Sequence, residues 1–71
     1  MKIKKFTVDQ ISDMIWRAMF YNGRRINQDI VPVLMRNFEI DQDQARQYVK
    51  DWASINGFEI EMVETLKVRE N

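Results

Sequence analysis

Cysteine and histidine are both absent from this chain. Without cysteine, a disulfide framework, a thiolate metal site and a thiol nucleophile are excluded. Without histidine, the commonest general base and the commonest metal ligand are missing as well. The serines, Ser12 and Ser54, lie in no recognisable nucleophile motif, and no glycine-rich phosphate loop is present. We therefore expect a protein that is not an enzyme, with no catalytic, cofactor-binding or metal-binding residues and no small-molecule ligand.

Long apolar runs are also lacking, and none approaches the roughly 20 residues that a membrane span needs. The charged start of the chain leads into an amphipathic segment, unlike the core of a signal peptide. Together with the absence of cysteine, this predicts a soluble cytoplasmic protein without membrane contact. A length of 71 residues suits a single domain spanning 1–71.

Charge of one sign does not dominate, because eleven basic side chains balance eleven acidic ones. This balance argues against a polybasic protein that is held to nucleic acid by bulk electrostatics. The distribution is uneven: residues 1–36 carry seven basic and three acidic side chains, whereas residues 37–71 carry four basic and eight acidic ones. The two halves could dock head to tail between chains, or pair within one chain.

The first amphipathic segment predicts a helix over about 8–22. Thr7 and Gln10 have the spacing of a capping box, in which each side chain binds a backbone N–H at the helix start. Gly23 would end the helix. Its predicted inward-facing stripe follows helical spacing and consists of Val8, Ile11, Met14, Ile15, Ala18 and Met19.

A second helix is predicted over about 30–38, and two residues compete to cap it. Asn27 as N-cap would put Pro32 at the fifth helical position, where its missing N–H and its ring both cost stability. Asp29 as N-cap puts Pro32 in the first turn, where that N–H has no partner in any case. We therefore prefer Asp29. Ile30, Leu34 and Phe38 would face the core, with Val31 and Met35 beside them.

The third helix is predicted over about 42–55, opened by Asp41 with Gln44 three residues later and closed at Asn56 and Gly57. Its buried stripe would be Ala45, Tyr48, Val49, Trp52 and Ala53.

The pattern changes after Gly57, where apolar and acidic residues alternate. This alternation predicts a strand over about 58–62 whose buried face is Phe58, Ile60 and Met62. Residues 63–68 are compatible with a continued strand, a hairpin or a helix, and we favour a strand. Residues 1–5 also alternate and could pair with this tail. The fold class is therefore mostly α with a small β element.

The order of these elements resembles a winged helix-turn-helix domain. The likeness spans about residues 8–62. It is carried by Ile26 in the first strand position, Leu34 in the second helix, the turn residue Ile40, the cap Asp41, Ala45 and Tyr48 in the third helix, and the run WASINGFEI from Trp52 to Ile60. The resemblance implies a three-helix core followed by a short strand or hairpin as the wing.

The resemblance also implies that the third helix is a DNA recognition helix. Its candidate contacts to base edges and phosphates are Gln44, Arg46, Gln47 and Lys50, with Arg24 and Arg25 at a phosphate. Acidic residues oppose this reading, because carboxylates near phosphates weaken binding. They are Asp41 and Asp43 at the helix start and Glu59 and Glu61 in the predicted wing.

Trp16 and Phe20 do not fit the stripe of the first helix. They share their face with Asp9, Asp13 and Arg17. Either a terminal segment folds over the two rings, or they form an association surface, because aromatics flanked by charges are typical of interface hot spots. We favour the second interpretation, with Trp16, Phe20, Arg17 and Asp13 as interface residues.

The sequence therefore predicts a non-catalytic regulatory or adaptor protein that binds another macromolecule. A protein partner is favoured, and homodimerisation is one form that this could take. The alternative is a winged helix-turn-helix DNA-binding transcriptional regulator.

Overall fold

The computed structural model describes residues 2–21, 24–25, 29–64 and 67–68, with side chains at 2–20, 29–60 and 62–64. Three helices in this part of the chain share one hydrophobic core, and two short antiparallel hairpins accompany them. In chain order the elements are α1 (Val8–Met19), β1 (Phe20–Tyr21), β2 (Arg24–Arg25), α2 (Ile30–Asn37), α3 (Gln42–Ile55), β3 (Ile60–Met62) and β4 (Lys67–Val68). The predicted mostly helical class is confirmed.

Helix α1 begins with the predicted capping box. The Thr7 hydroxyl accepts from the Gln10 backbone N–H at 3.3 Å, and the Gln10 side chain accepts from the Thr7 N–H at 2.8 Å. The predicted end near residue 22 is wrong, because Phe20 turns extended (φ −127°, ψ 133°) and pairs with Arg25 in the β1–β2 hairpin. The roles predicted for Gly23, Ile26 and Asn27 lie outside the described residues.

The predicted core face of α1 is correct apart from its first residue. Ile11, Ile15, Ala18 and Met19 are buried, and Met14 packs against them. Val8 is 65% exposed, so its placement in the inward stripe is wrong. Helical periodicity predicts which side of a helix faces the core. It does not predict how much of the helix length the neighbouring helices cover.

Helix α2 begins after Asp29, as predicted, and Pro32 lies in its first turn. The Asp29 side chain makes no capping hydrogen bond. Instead, the Val31 backbone N–H donates to the carbonyl of Glu64 at 3.2 Å. A carbonyl from the C-terminal segment thus serves one of the N–H groups that a helix start leaves without an intrahelical partner.

Helix α3 matches its predicted bounds. The Asp41 carboxylate accepts from the Gln44 N–H at 2.8 Å, and the Gln44 side chain accepts from the Asp41 N–H at 2.9 Å. At the other end, Gly57 adopts a left-handed φ of 76°, a conformation that glycine takes at little steric cost.

The core lies where the three helices meet. Its buried members, beyond those of α1, are Ile30, Val31, Leu34, Phe38, Ile40, Ala45, Val49, Trp52 and Ala53. Tyr48 is half-buried beside Phe6, which packs edge-on against Phe38 with ring centroids 5.0 Å apart. None of the helices in the described part of the chain is both long and apolar enough to cross a membrane.

The two ends of the chain differ from their predictions. Strand β3 pairs with β4, so the chain after residue 62 folds back as a hairpin. Met62 is 50% exposed rather than buried, while Phe58 and Ile60 are half-buried. Ile3 does not pair with this tail. It forms a parallel bridge beside Phe38, donating to the Asn37 carbonyl and accepting from the Glu39 N–H, both at 2.9 Å.

Candidate functional site

Trp16 and Phe20 belong to an aromatic cluster that also contains Trp52 and Phe58. The Trp16 ring stacks on Phe20 with centroids 5.6 Å apart and meets the buried Trp52 edge-on at 4.9 Å. Phe58 stacks on Trp52 at 5.3 Å and lies 6.2 Å from Trp16. Both rings therefore pack beside the core although they lie outside the predicted stripe of α1, because Phe20 is half-buried and Trp16 contacts the buried Trp52. Trp16 nevertheless keeps 39% of its surface exposed.

A groove of about 430 Å³ runs between α1 and α3. We call it the α1–α3 groove. Its lining residues are Val8, Asp9, Ile11, Ser12, Tyr48, Asp51, Trp52, Ser54, Ile55 and Asn56. Trp16 lies one helical turn beyond Ser12 and contacts Trp52, so the exposed indole adjoins the groove.

Two lining residues of the groove are large, apolar and mostly exposed. Val8 is 65% exposed and Ile55 is 80% exposed. Val8 is the first residue of α1 and Ile55 the last of α3. The fold therefore brings apolar side chains from two distant parts of the sequence to one surface. Sequence reasoning missed both, although Ile55 lies outside the buried stripe of its helix and could have been noticed for that reason.

The charged residues that line the groove, among those the structure describes, are all acidic. They are Asp9 and Asp51. The Asp51 carboxylate accepts from the Gln47 side-chain amide at 2.8 Å. Among the residues with described side chains, no lysine or arginine lies within ion-pair distance of either carboxylate. The groove thus combines apolar side chains with two carboxylates that have no ion-pair partner among the residues with described side chains.

The two charged residues of the predicted interface, Asp13 and Arg17, pair with each other at 3.0 Å across one turn of α1. Both are well exposed, so solvent screens the pair and its contribution to stability is small. They lie beside the Trp16–Phe20 stack in sequence and on the same helix. The structure therefore places the four predicted interface residues along α1 and its C-terminal end.

The indole Nε1 atom of Trp52 is buried and has no hydrogen-bond partner among the described residues. A buried donor without an acceptor costs roughly 1–3 kcal/mol. Trp52 lines the groove and packs against Trp16, so it connects the two.

Of the four predicted DNA-contact residues whose side chains are described, three have partners within the chain. The side chain of Gln44 caps α3, that of Gln47 binds Asp51, and Arg46 pairs with Glu64 at 3.1 Å. Lys50 is exposed. The side chains of Arg24, Arg25 and Glu61 lie outside the described residues.

No group of three or more acidic residues in the described part of the chain is arranged to hold a metal ion. Comparison of the chain with models of protein families, with curated proteins and with solved structures finds no match.

Proposed function

We propose that this chain is a non-catalytic regulatory or adaptor protein that acts by binding another protein through the α1–α3 groove and Trp16. The observation that carries the proposal is the exposure of Val8 and Ile55 at one groove, outside the buried core, with the partly exposed Trp16 packed against the lining residue Trp52. Contiguous exposed apolar side chains are typical of a binding surface.

The energetic argument follows from burial. Covering an exposed valine or isoleucine side chain completely stabilises a complex by about 1.5–3 kcal/mol before the entropy of association is subtracted. Trp16 is a suitable anchor because its ring is already held by Phe20 and Trp52. Little side-chain entropy is lost when such a preorganised aromatic binds.

The charged pair Asp13–Arg17 would lie at the edge of this interface. Exposed charges around an apolar centre are the usual arrangement of an interface rim, where they contribute orientation more than affinity. The proposal therefore keeps Trp16, Phe20, Arg17 and Asp13 as interface residues and adds Val8 and Ile55.

A winged helix-like arrangement and a cytoplasmic location are also part of the proposal. In favour of the first, the β3–β4 hairpin directly follows α3, as a wing follows a recognition helix. The DNA-binding alternative has less in its favour, because Gln44, Arg46 and Gln47 already have partners within the chain. It predicts binding to duplex DNA that weakens steeply with salt and is lost on Lys50→Ala.

Site-specific photo-crosslinking in the cells that produce the chain tests the proposal. A photoreactive amino acid replaces either Ile55, at the groove, or Arg36, which is exposed on α2 and does not line the groove. We expect a discrete protein adduct from position 55 and none from position 36. Equal adducts from both positions, or none from position 55, would contradict the proposal.

A further inference from the structure

The sign of the charge in the α1–α3 groove restricts what can bind there. Asp9 and Asp51 both line the groove, and none of its lining residues in the described part of the chain is basic. A partner that covers the groove must therefore either desolvate these carboxylates or supply positive charge to them. The first option costs free energy, so complementary charge is favoured.

A second copy of this chain that places its own groove against this one is a poor partner for the same reason. A twofold symmetric dimer pairs the same patch on both subunits. If that patch were the groove, Asp9 and Asp51 of one copy would approach the same carboxylates of the other, with no lysine or arginine among the described lining residues of either copy. Like charges facing each other across an interface oppose association.

The shape of the groove suits a helix. It lies between two helices, and a third helix can lay its side chains into the groove between two others. Val8 and Ile55 supply apolar contacts on the α1 and α3 sides respectively. Apolar side chains at positions i and i+4 of a helix point the same way and can enter such a groove together.

From these observations we infer that the occupant of the groove is a basic amphipathic helix of a partner protein. Its apolar side chains, one turn apart, contact Val8, Ile55 and the groove floor, while flanking lysines or arginines pair with Asp9 and Asp51. The long stems of these basic residues can cross the apolar surface before reaching the carboxylates. This inference rests on the proposed function and specifies the chemistry of the partner.

The test compares two synthetic helical peptides by titration into the isotope-labelled full chain, with binding followed by amide chemical shifts. Both peptides carry leucines at i and i+4, and they differ only in having lysine or glutamate at the flanking positions. We expect the lysine peptide to bind about tenfold more tightly at low salt, the effect of two exposed ion pairs. The shifts should map to α1 and α3.

A matched variant separates the contribution of the two carboxylates to peptide affinity from that of the apolar contacts. Asp9→Asn with Asp51→Asn keeps the size of both side chains and keeps an acceptor for Gln47. We expect the preference for the lysine peptide to fall to about twofold or less, with the apolar contribution retained. Equal binding of the two peptides, a preference for glutamate, or a lysine preference that survives in this variant would overturn the inference.

The outcomes also separate this inference from the proposed function. If neither peptide binds while position 55 still yields a protein adduct in cells, the inference of a basic helix is wrong and the proposal of protein binding is supported. If light scattering shows a dimer that is lost on Val8→Gln with Ile55→Gln, a second copy of this chain occupies the groove. The inference of a basic helix is then wrong, whereas the proposal that the groove binds protein is not contradicted. If neither peptide binds and position 55 yields no adduct, both the proposed function and the inference of a basic helix are wrong.

Discussion

Leu34 and Ile55 show how differently the fold treats two aliphatic side chains of equal size. Leu34 is 0% exposed at the centre of the core, whereas Ile55 is 80% exposed at the end of α3. The sequence predicted the first from its spacing with Ile30 and Phe38. It did not predict the second, because the position of a groove depends on where separate helices cross.

This contrast gives a stability prediction. Leu34→Ala should lower the free energy of unfolding by about 2–5 kcal/mol, because it leaves a cavity in a packed core. Ile55→Ala should change it by less than about 0.5 kcal/mol. Urea unfolding followed by tryptophan fluorescence measures both. Losses of similar size in the two variants would contradict the assigned burial.

Trp16 has both a structural and a proposed binding role. Trp16→Ala removes the ring that packs on Phe20 and Trp52, and we expect a loss of about 2 kcal/mol, below the 3–5 kcal/mol of a fully buried aromatic. Trp16→Phe should retain most of this packing. Thermal unfolding monitored by circular dichroism compares the three proteins. An unchanged midpoint in Trp16→Ala would show that the aromatic cluster does not form.

At the scale of elements, local signals predicted most of the helix ends. The capping boxes of α1 and α3 and the Asp29 start of α2 are encoded within a few residues. The end of α1 differs from its prediction because Phe20 is extended and pairs with Arg25 instead of continuing the helix.

The caps differ in a way that mutation can measure. Asp41→Ala should cost about 1 kcal/mol, because the carboxylate binds the Gln44 N–H. Asp29→Ala should cost only a few tenths, because that side chain makes no capping bond and the Glu64 carbonyl serves Val31 instead. Chemical denaturation of both variants checks the difference, and an equal cost would show that Asp29 caps α2 in solution.

Glu64 joins the C-terminal segment to two helices through different atoms. Its carbonyl binds the Val31 N–H, while its carboxylate pairs with Arg46. Both charged side chains are about 40% exposed, so solvent screens the pair. A double-mutant cycle of Arg46→Ala and Glu64→Ala should give a coupling energy below about 0.5 kcal/mol. A coupling above 1 kcal/mol would mean that the ion pair holds the segment in place.

At the scale of the whole molecule, the class of the fold followed from amphipathic periodicity, but the candidate site did not. Trp16 can be predicted as an unusual residue because it breaks the apolar stripe of its helix. The groove cannot be predicted from the sequence, because it forms only where Val8 at the start of α1 and Ile55 at the end of α3 come to the same surface. Such a surface depends on packing angles between helices, and no local pattern records them.

The central claim is that the α1–α3 groove serves binding and is not needed for folding. The most direct measurement uses Val8→Gln with Ile55→Gln, which removes apolar surface from the groove without adding charge. Crosslinking from Ser54, another lining residue, reports binding, and urea denaturation of the same variant reports stability. We predict an adduct yield reduced at least about tenfold, equivalent to 1.4 kcal/mol, with stability within about 0.5 kcal/mol of the parent. An adduct at the parent yield would contradict the account.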